Sequence, residues 1–174
     1  LLMLAAYAMD GFAYAVEGLA GNRLGAGDLR GFYRSVRRCA LWTGICALAT
    51  SAVFALLHAP IFNLLTSIDA VQLALRSALG WLLLLPLLAA PSYLLDGVFV
   101  GSAKNRYMMT TMLFSAVVVY LPAWYLLRGW GNHGLWLAFT LFNASRGAGL
   151  ALSFLTLSRR GDWLRPTAAG EAGD

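Results

Sequence analysis

The sequence predicts an all-α fold, a polytopic membrane helix bundle of about five transmembrane helices. Three observations carry that prediction. Of 174 residues, 60% are hydrophobic and only 12% charged, about half the charged share of an ordinary soluble domain. Five apolar segments stand at roughly 1–22, 39–61, 78–101, 107–127 and 134–157, each near the ~20 residues that cross a hydrocarbon core. The stretches that follow them carry five, one, two, one and three Lys or Arg in turn.

That alternation is the positive-inside pattern. It puts the basic connections and the C-terminus on the cytoplasmic side and Leu1 on the outer side. The formal net charge of +5 therefore reads as topology rather than as a nucleic-acid footprint, so the expected partner is the lipid bilayer and not nucleic acid. An odd number of spans with an outer start, without an initiator Met or a basic leader, implies a chain that begins part-way through a larger protein. The expected organisation is a helical bundle over 1–158 and a polar cytoplasmic tail over 159–174, disordered by composition.

The first segment carries a stripe. Met3, Tyr7, Asp10, Tyr14, Glu17 and Gly21 recur every three or four residues and share one helical face. In lipid such a face must meet other helices or a wet cavity, so Tyr7 and Tyr14 are expected to line a cavity with the two acids. The glycine-rich GNRLGAGDLRG that follows lacks the strand context and the Lys-Ser/Thr ending of a nucleotide loop. It reads as a tight turn, with Asp28 capping a basic amphipathic helix. In the second segment, Cys39 and Cys46 lie seven residues and about 10 Å apart along one helix, too far to bridge and without metal-ligand spacing.

The third segment is the most informative. Between Gly80 and Ser102 it is almost wholly apolar, yet it holds Pro86, Pro91 and Asp96. Each proline removes a backbone donor and loosens the helix four residues back, so both mark a kink. An intramembrane aspartate costs roughly 2.5–3.5 kcal/mol on insertion scales and so marks function by default. Ser92 and Tyr93 precede Asp96 by one turn on the same face. The fifth segment holds Arg146 near its middle, one turn after Asn143. Trp130 and His133 in the outer turn and Trp163 in the tail read as interfacial anchors.

Counting inward from the cytoplasmic ends places Asp10 and Arg146 roughly 17–20 Å deep and Glu17 and Asp96 nearer 10 Å. The expectation is two layers: a deeper Asp10–Arg146 ion pair and a shallower Glu17/Asp96 pair that shares a proton, a coupling device. Tyr7, Tyr14, Ser92, Tyr93 and Asn143 would line the cavity around them. No nucleophile–base pair and no metal set is visible, so neither catalysis nor a bound metal or other cofactor is expected.

Three stretches, DGFAYAVEGLAGNRLGAGD, PSYLLDGVFVGSAKN and NHGLWLAFTLFNASRG, resemble in order and spacing the multidrug and toxic compound extrusion (MATE) family, in its DinF-like branch. The resemblance covers essentially all of 1–165. It implies a twelve-helix protein of two six-helix lobes, of which this chain would be helices eight to twelve, a partial lobe. It further implies antiport of protons or sodium against organic cations and amphipathic toxic compounds across the bacterial inner membrane, with the N-terminal lobe as partner. On this resemblance Asp96 matches a tenth-helix aspartate that some branches use for cation coupling, and Asp10 and Glu17 fall on helix eight. An acid on helix one, outside this sequence, is implied as central to proton coupling in the DinF-like branch. Two other readings stay open. A lipid-linked-oligosaccharide flippase of the same superfamily would need more cavity cations than Arg146 alone. A non-transporting scaffold subunit would tolerate amides in place of its intramembrane acids.

Overall fold

The computed structural model describes residues 2–164, and every regular element in them is helical. In chain order these are α1 (Leu2–Gly25), α2 (Leu29–Leu65), α3 (Asp69–Ser77), α4 (Leu79–Gly101), α5 (Asn105–Phe114), α6 (Leu121–Leu127) and α7 (Asn132–Arg160). A π-helical turn, Ser115–Tyr120, joins α5 to α6. Short 3-10 turns follow α6 (Arg128–Trp130) and α7 (Asp162–Leu164).

Local chemistry sets most boundaries. α1 closes at Gly25, and Gly27 turns the chain with φ +70. Asp28 then caps α2 as expected, its carboxylate accepting from Gly31 N–H at 2.8 Å. α2 is one helix of 37 residues, so the basic segment and the second span are continuous. α3, with Asp69 in its first turn and Arg76 in its last, complements its own dipole. The π turn lies just before Pro122, whose missing N–H deprives the Val118 carbonyl of its helical donor. α7 ends on Gly161 at φ 70, the left-handed position that glycine takes without strain.

Three helical runs, Leu29–Leu65, Leu79–Gly101 and Asn105–Trp130, are long and apolar enough to cross a membrane. α1 and α7, at 24 and 29 residues, have the length but not the apolarity, because they carry the polar groups singled out above.

α4 is the central helix: 56% of its apolar span is buried, against 17% for α2 and 6% for the α5–α6 run. α1 runs parallel to α4 with the backbones nearly touching. A Cβ at Gly97 would fall 2.2 Å from the Ala13 carbonyl oxygen, and one at Gly101 2.2 Å from that of Glu17. The Gly-x-x-x-Gly spacing is what permits this approach. α7 is also parallel to α4, with Trp81 Nε1 donating to His133 Nδ1 at 3.2 Å and Ser92 Oγ to the Asn143 carbonyl at 3.2 Å. α2 runs antiparallel to α4. Its Ser51 donates at 2.8 Å to the Leu83 carbonyl, next to the Leu82 carbonyl that Pro86 leaves without a helical donor. α4 continues through both Pro86 and Pro91.

At the arginine-rich end the helices are tied by aromatics. Trp163 is 3% exposed and packs at a tilt against Phe32, Phe154 and Phe99, with ring centres 4.9, 5.1 and 5.8 Å away. This corrects two expectations. Trp163 is a core residue rather than an interfacial anchor, because the chain turns back under α2 and α4 after Gly161. The tail also does not begin at 159: Arg159 and Arg160 close α7 and Asp162–Leu164 are folded. The rest of the expected disordered tail, 165–174, lies outside the described residues. Beside this cluster burial pushes the Lys104 ammonium below its usual pKa, and the Asp162 carboxylate acts in the opposite sense.

Candidate functional site

The parallel register of α1, α4 and α7 decides which polar groups meet. Arg146 of α7 donates from its Nη2 to Oδ2 of Asp96 on α4. The two side chains are 17% and 18% exposed. The other carboxylate oxygen, Asp96 Oδ1, and Arg146 Nε are buried without a hydrogen-bond partner among the described residues. A buried ion pair with unsatisfied atoms is a poor way to stabilise a fold, since desolvation of two charges costs several kcal/mol per ion.

This corrects the two-layer expectation. Arg146 pairs with Asp96, not with Asp10. Counting from the helix ends fails because α7 continues about nine residues, roughly 14 Å, past the level at which α4 stops. Glu17 is not brought to Asp96 either. Ala13 faces Gly97, so Glu17 sits about one turn further on, with its backbone against Gly101. Of the α1 acids it is Asp10, half-buried and one turn before Ala13, that lies nearer the level of Asp96.

Above the pair, between the N-terminal halves of the same three helices, lies an open apolar cleft of about 210 Å³. Met9 lines it from α1, Pro86 and Tyr93 from α4, Phe139 and Asn143 from α7. Tyr93 and Asn143, in the lining of the cleft, stand one turn before Asp96 and Arg146, so the ion pair lies one turn beyond the lining on the arginine-rich side. Ser92 faces away from the cleft and is fully buried against α7. Pro91 is exposed. Tyr7 and Tyr14, 66% and 73% exposed, do not line it. They point away from α4, because α1 turns Met9, Val16 and Ala20 inward and closes on Gly97 and Gly101.

Residue-by-residue reading missed Gly97 and Gly101, which set the α1–α4 register and hence the whole site. The signal was present as Gly-x-x-x-Gly in an apolar helix.

What these features define is an integral membrane protein, an all-α bundle with an ion pair set inside it, one turn beyond a cleft. Comparison with known proteins gives the family. The MatE sequence family matches residues 1–126, and the chain belongs to that family. It is 39% identical over 168 residues to the DNA damage-inducible protein F of Escherichia coli (strain K12). That match covers 96% of this chain and 36% of the relative, so the chain spans about a third of that protein's length. No solved structure matches at a comparable level.

Proposed function

We propose that this chain forms most of the C-terminal lobe of a secondary active exporter, which admits protons or sodium in exchange for organic cations or amphipathic toxic compounds. It would sit in a bacterial inner membrane with its C-terminus in the cytoplasm, completed by an N-terminal lobe. The observation that carries the reading is the half-satisfied Asp96–Arg146 pair one turn beyond the lining of an apolar cleft.

Asp96 is the coupling residue in this account. With no cation bound, Arg146 neutralises its carboxylate. A proton or sodium ion arriving at Oδ1 removes the reason for the pair, and the Arg146 guanidinium is freed to swing away. Asp10, one turn before the Ala13–Gly97 contact, is a second acid near that level, so a cationic substrate and the coupling ion compete for one acidic neighbourhood. Tyr93, Asn143 and Pro86 face the apolar body of the substrate. Glu17, a turn away, has no part in this step. Competition of this kind, combined with rocking of two lobes about a central site, is what exchange requires.

A flippase for lipid-linked oligosaccharides lacks support: Arg146 is engaged by Asp96, and no Lys or Arg is among the described residues lining the cleft. A scaffold subunit gives no reason for a buried pair with unsatisfied atoms.

The test is proton release from the purified full chain in weak buffer when tetraphenylphosphonium is added. Release is expected in the wild type and is lost in Asp96→Asn. Sodium-dependent binding of the same cation without proton release identifies sodium as the coupling ion. Release that persists unchanged in Asp96→Asn overturns the assignment.

A further inference from the structure

We infer that α2 carries a binding site for one anionic phospholipid at the arginine-rich end of the bundle, with the phosphodiester on Arg30, Arg34 and Arg38.

The stripe is continuous. Arg30, Arg34 and Arg38 follow each other at four-residue spacing and share a face. The same face continues through Leu41, Trp42, Ile45 and Leu48, which are 63%, 58%, 44% and 61% exposed. The opposite face of α2, with Phe32, Val36, Thr43 and Ala47, is the buried one. The exposed stripe is therefore not a core surface turned outward but a separate face, charged at one end and apolar beyond.

The charged end is concave. Arg30, Arg34, Ser35 and Arg38 surround a polar pocket of about 280 Å³, together with Arg23 and Asp28. Asp28 is the pocket's one carboxylate, and it is committed to Gly31 N–H and to Arg23 at 3.1 Å. That leaves Arg30, Arg34 and Arg38 without a hydrogen bond or an ion pair among the described residues. A Cβ at Gly31 would lie 2.0 Å from Asp28 Oδ2 and 2.9 Å from Arg23 Cδ, so the glycine lets Asp28 and Arg23 seat together at one wall of the pocket. Three guanidinium groups converging on such a pocket suit the oxygens of a phosphodiester, which arginine binds in a forked geometry that lysine does not offer.

The apolar continuation selects a lipid over a free phosphate. From Arg38 to Leu48 is ten residues, about 15 Å, which is one leaflet of a ~30 Å hydrocarbon core. Trp42 lies one turn in from the last arginine, at the level where aromatic rings meet the glycerol region. Headgroup, interface and acyl chain thus have successive partners along one helix face. Positive-inside topology alone asks for charge on this side of the membrane, but not for a pocket or for an apolar stripe in register with it.

Lipid retention by the full chain, extracted in mild detergent and measured by native mass spectrometry against equimolar phosphatidylglycerol and phosphatidylcholine, tests this. Phosphatidylglycerol is expected to be retained over phosphatidylcholine by at least about tenfold. The preference should vanish in R30Q/R34Q/R38Q and survive in Arg37→Gln, which removes the same kind of charge outside the pocket. Inorganic phosphate at the same concentration should not displace the lipid. Equal loss in Arg37→Gln reduces the effect to diffuse surface charge and overturns the site. So does a triple variant that keeps the preference, and displacement by inorganic phosphate assigns the pocket to a free anion instead. If the triple variant fails to insert, Arg34→Gln alone decides in the same way, with a partial loss expected and an unchanged preference contradicting the proposal.

Discussion

α1 and α2 both pack along α4, and they do so on opposite terms. α1 meets α4 backbone to backbone through Gly97 and Gly101 and carries two acids. α2 meets it through Thr43, Ala47 and Phe54, turns Leu41, Leu48 and Leu56 outward, and has no acid along its length. Polar groups cluster where glycine lets helices come closest, because tight approach fixes register and excludes lipid from charged atoms. The apolar helices need no such precision, since hydrocarbon can cover whatever they leave exposed. The α1–α4–α7 trio thus holds the buried polar groups, and α2 with the α5–α6 run is its more exposed, apolar flank.

The sharpest way to break this contrast is to unbalance the pair. Arg146→Leu leaves Asp96 buried without its cation and should cost about 3–5 kcal/mol, read as a large fall in thermal midpoint in detergent. Adding Asp96→Asn should recover most of that loss. Purely additive losses would mean that the pair is not coupled.

Next in size is the glycine contact. Gly97→Val places side-chain atoms where the Ala13 carbonyl stands and should cost about 3 kcal/mol or more by overpacking. Gly44→Ala on α2 has nothing within 4 Å and should be neutral or stabilise by up to about 1 kcal/mol through helix propensity. Equal effects at the two positions would erase the distinction between the helix faces.

Smaller still is Ser51→Ala, which removes the hydroxyl bond to the Leu83 carbonyl. Interhelical bonds of this kind average about 0.6 kcal/mol, a small shift in midpoint. The smallest effect is pH-dependent. The Gly31 N–H, followed by the Arg23 charge, holds the Asp28 carboxyl below its ordinary value of 3.8. Its contribution is therefore present above that value and fades as pH falls through the lower folded value. Asp28→Ala should be slightly less stable than wild type at neutral pH, and the gap should close in acid. A gap independent of pH would remove charge from the explanation.

Much of this was legible in the chain. Apolar length and basic alternation predicted the bundle, Asp28 announced its own helix cap, and Asp96 and Arg146 stood out as charges at membrane depth. What sequence could not supply was register. Depth counted from helix ends assumes that helices end at one level, and α7 overshoots α4. That single error exchanged Arg146's partner and credited Glu17 with a neighbour it does not have. Helical periodicity grouped Tyr7 and Tyr14 with Asp10 correctly as a face, but which face meets α4 depends on Gly97 and Gly101, and these act through what they lack. Hydropathy, for its part, undervalues α1 and α7 because the groups that lower it are the ones forming the site.

The most direct measurement is efflux of a cationic dye from proteoliposomes of the full chain under an imposed proton or sodium gradient. It compares Asp96→Asn with Thr43→Val on the α2 side of α4. The account predicts background efflux for Asp96→Asn and near wild-type efflux for Thr43→Val. Full efflux in Asp96→Asn would contradict it, whatever the stability measurements say.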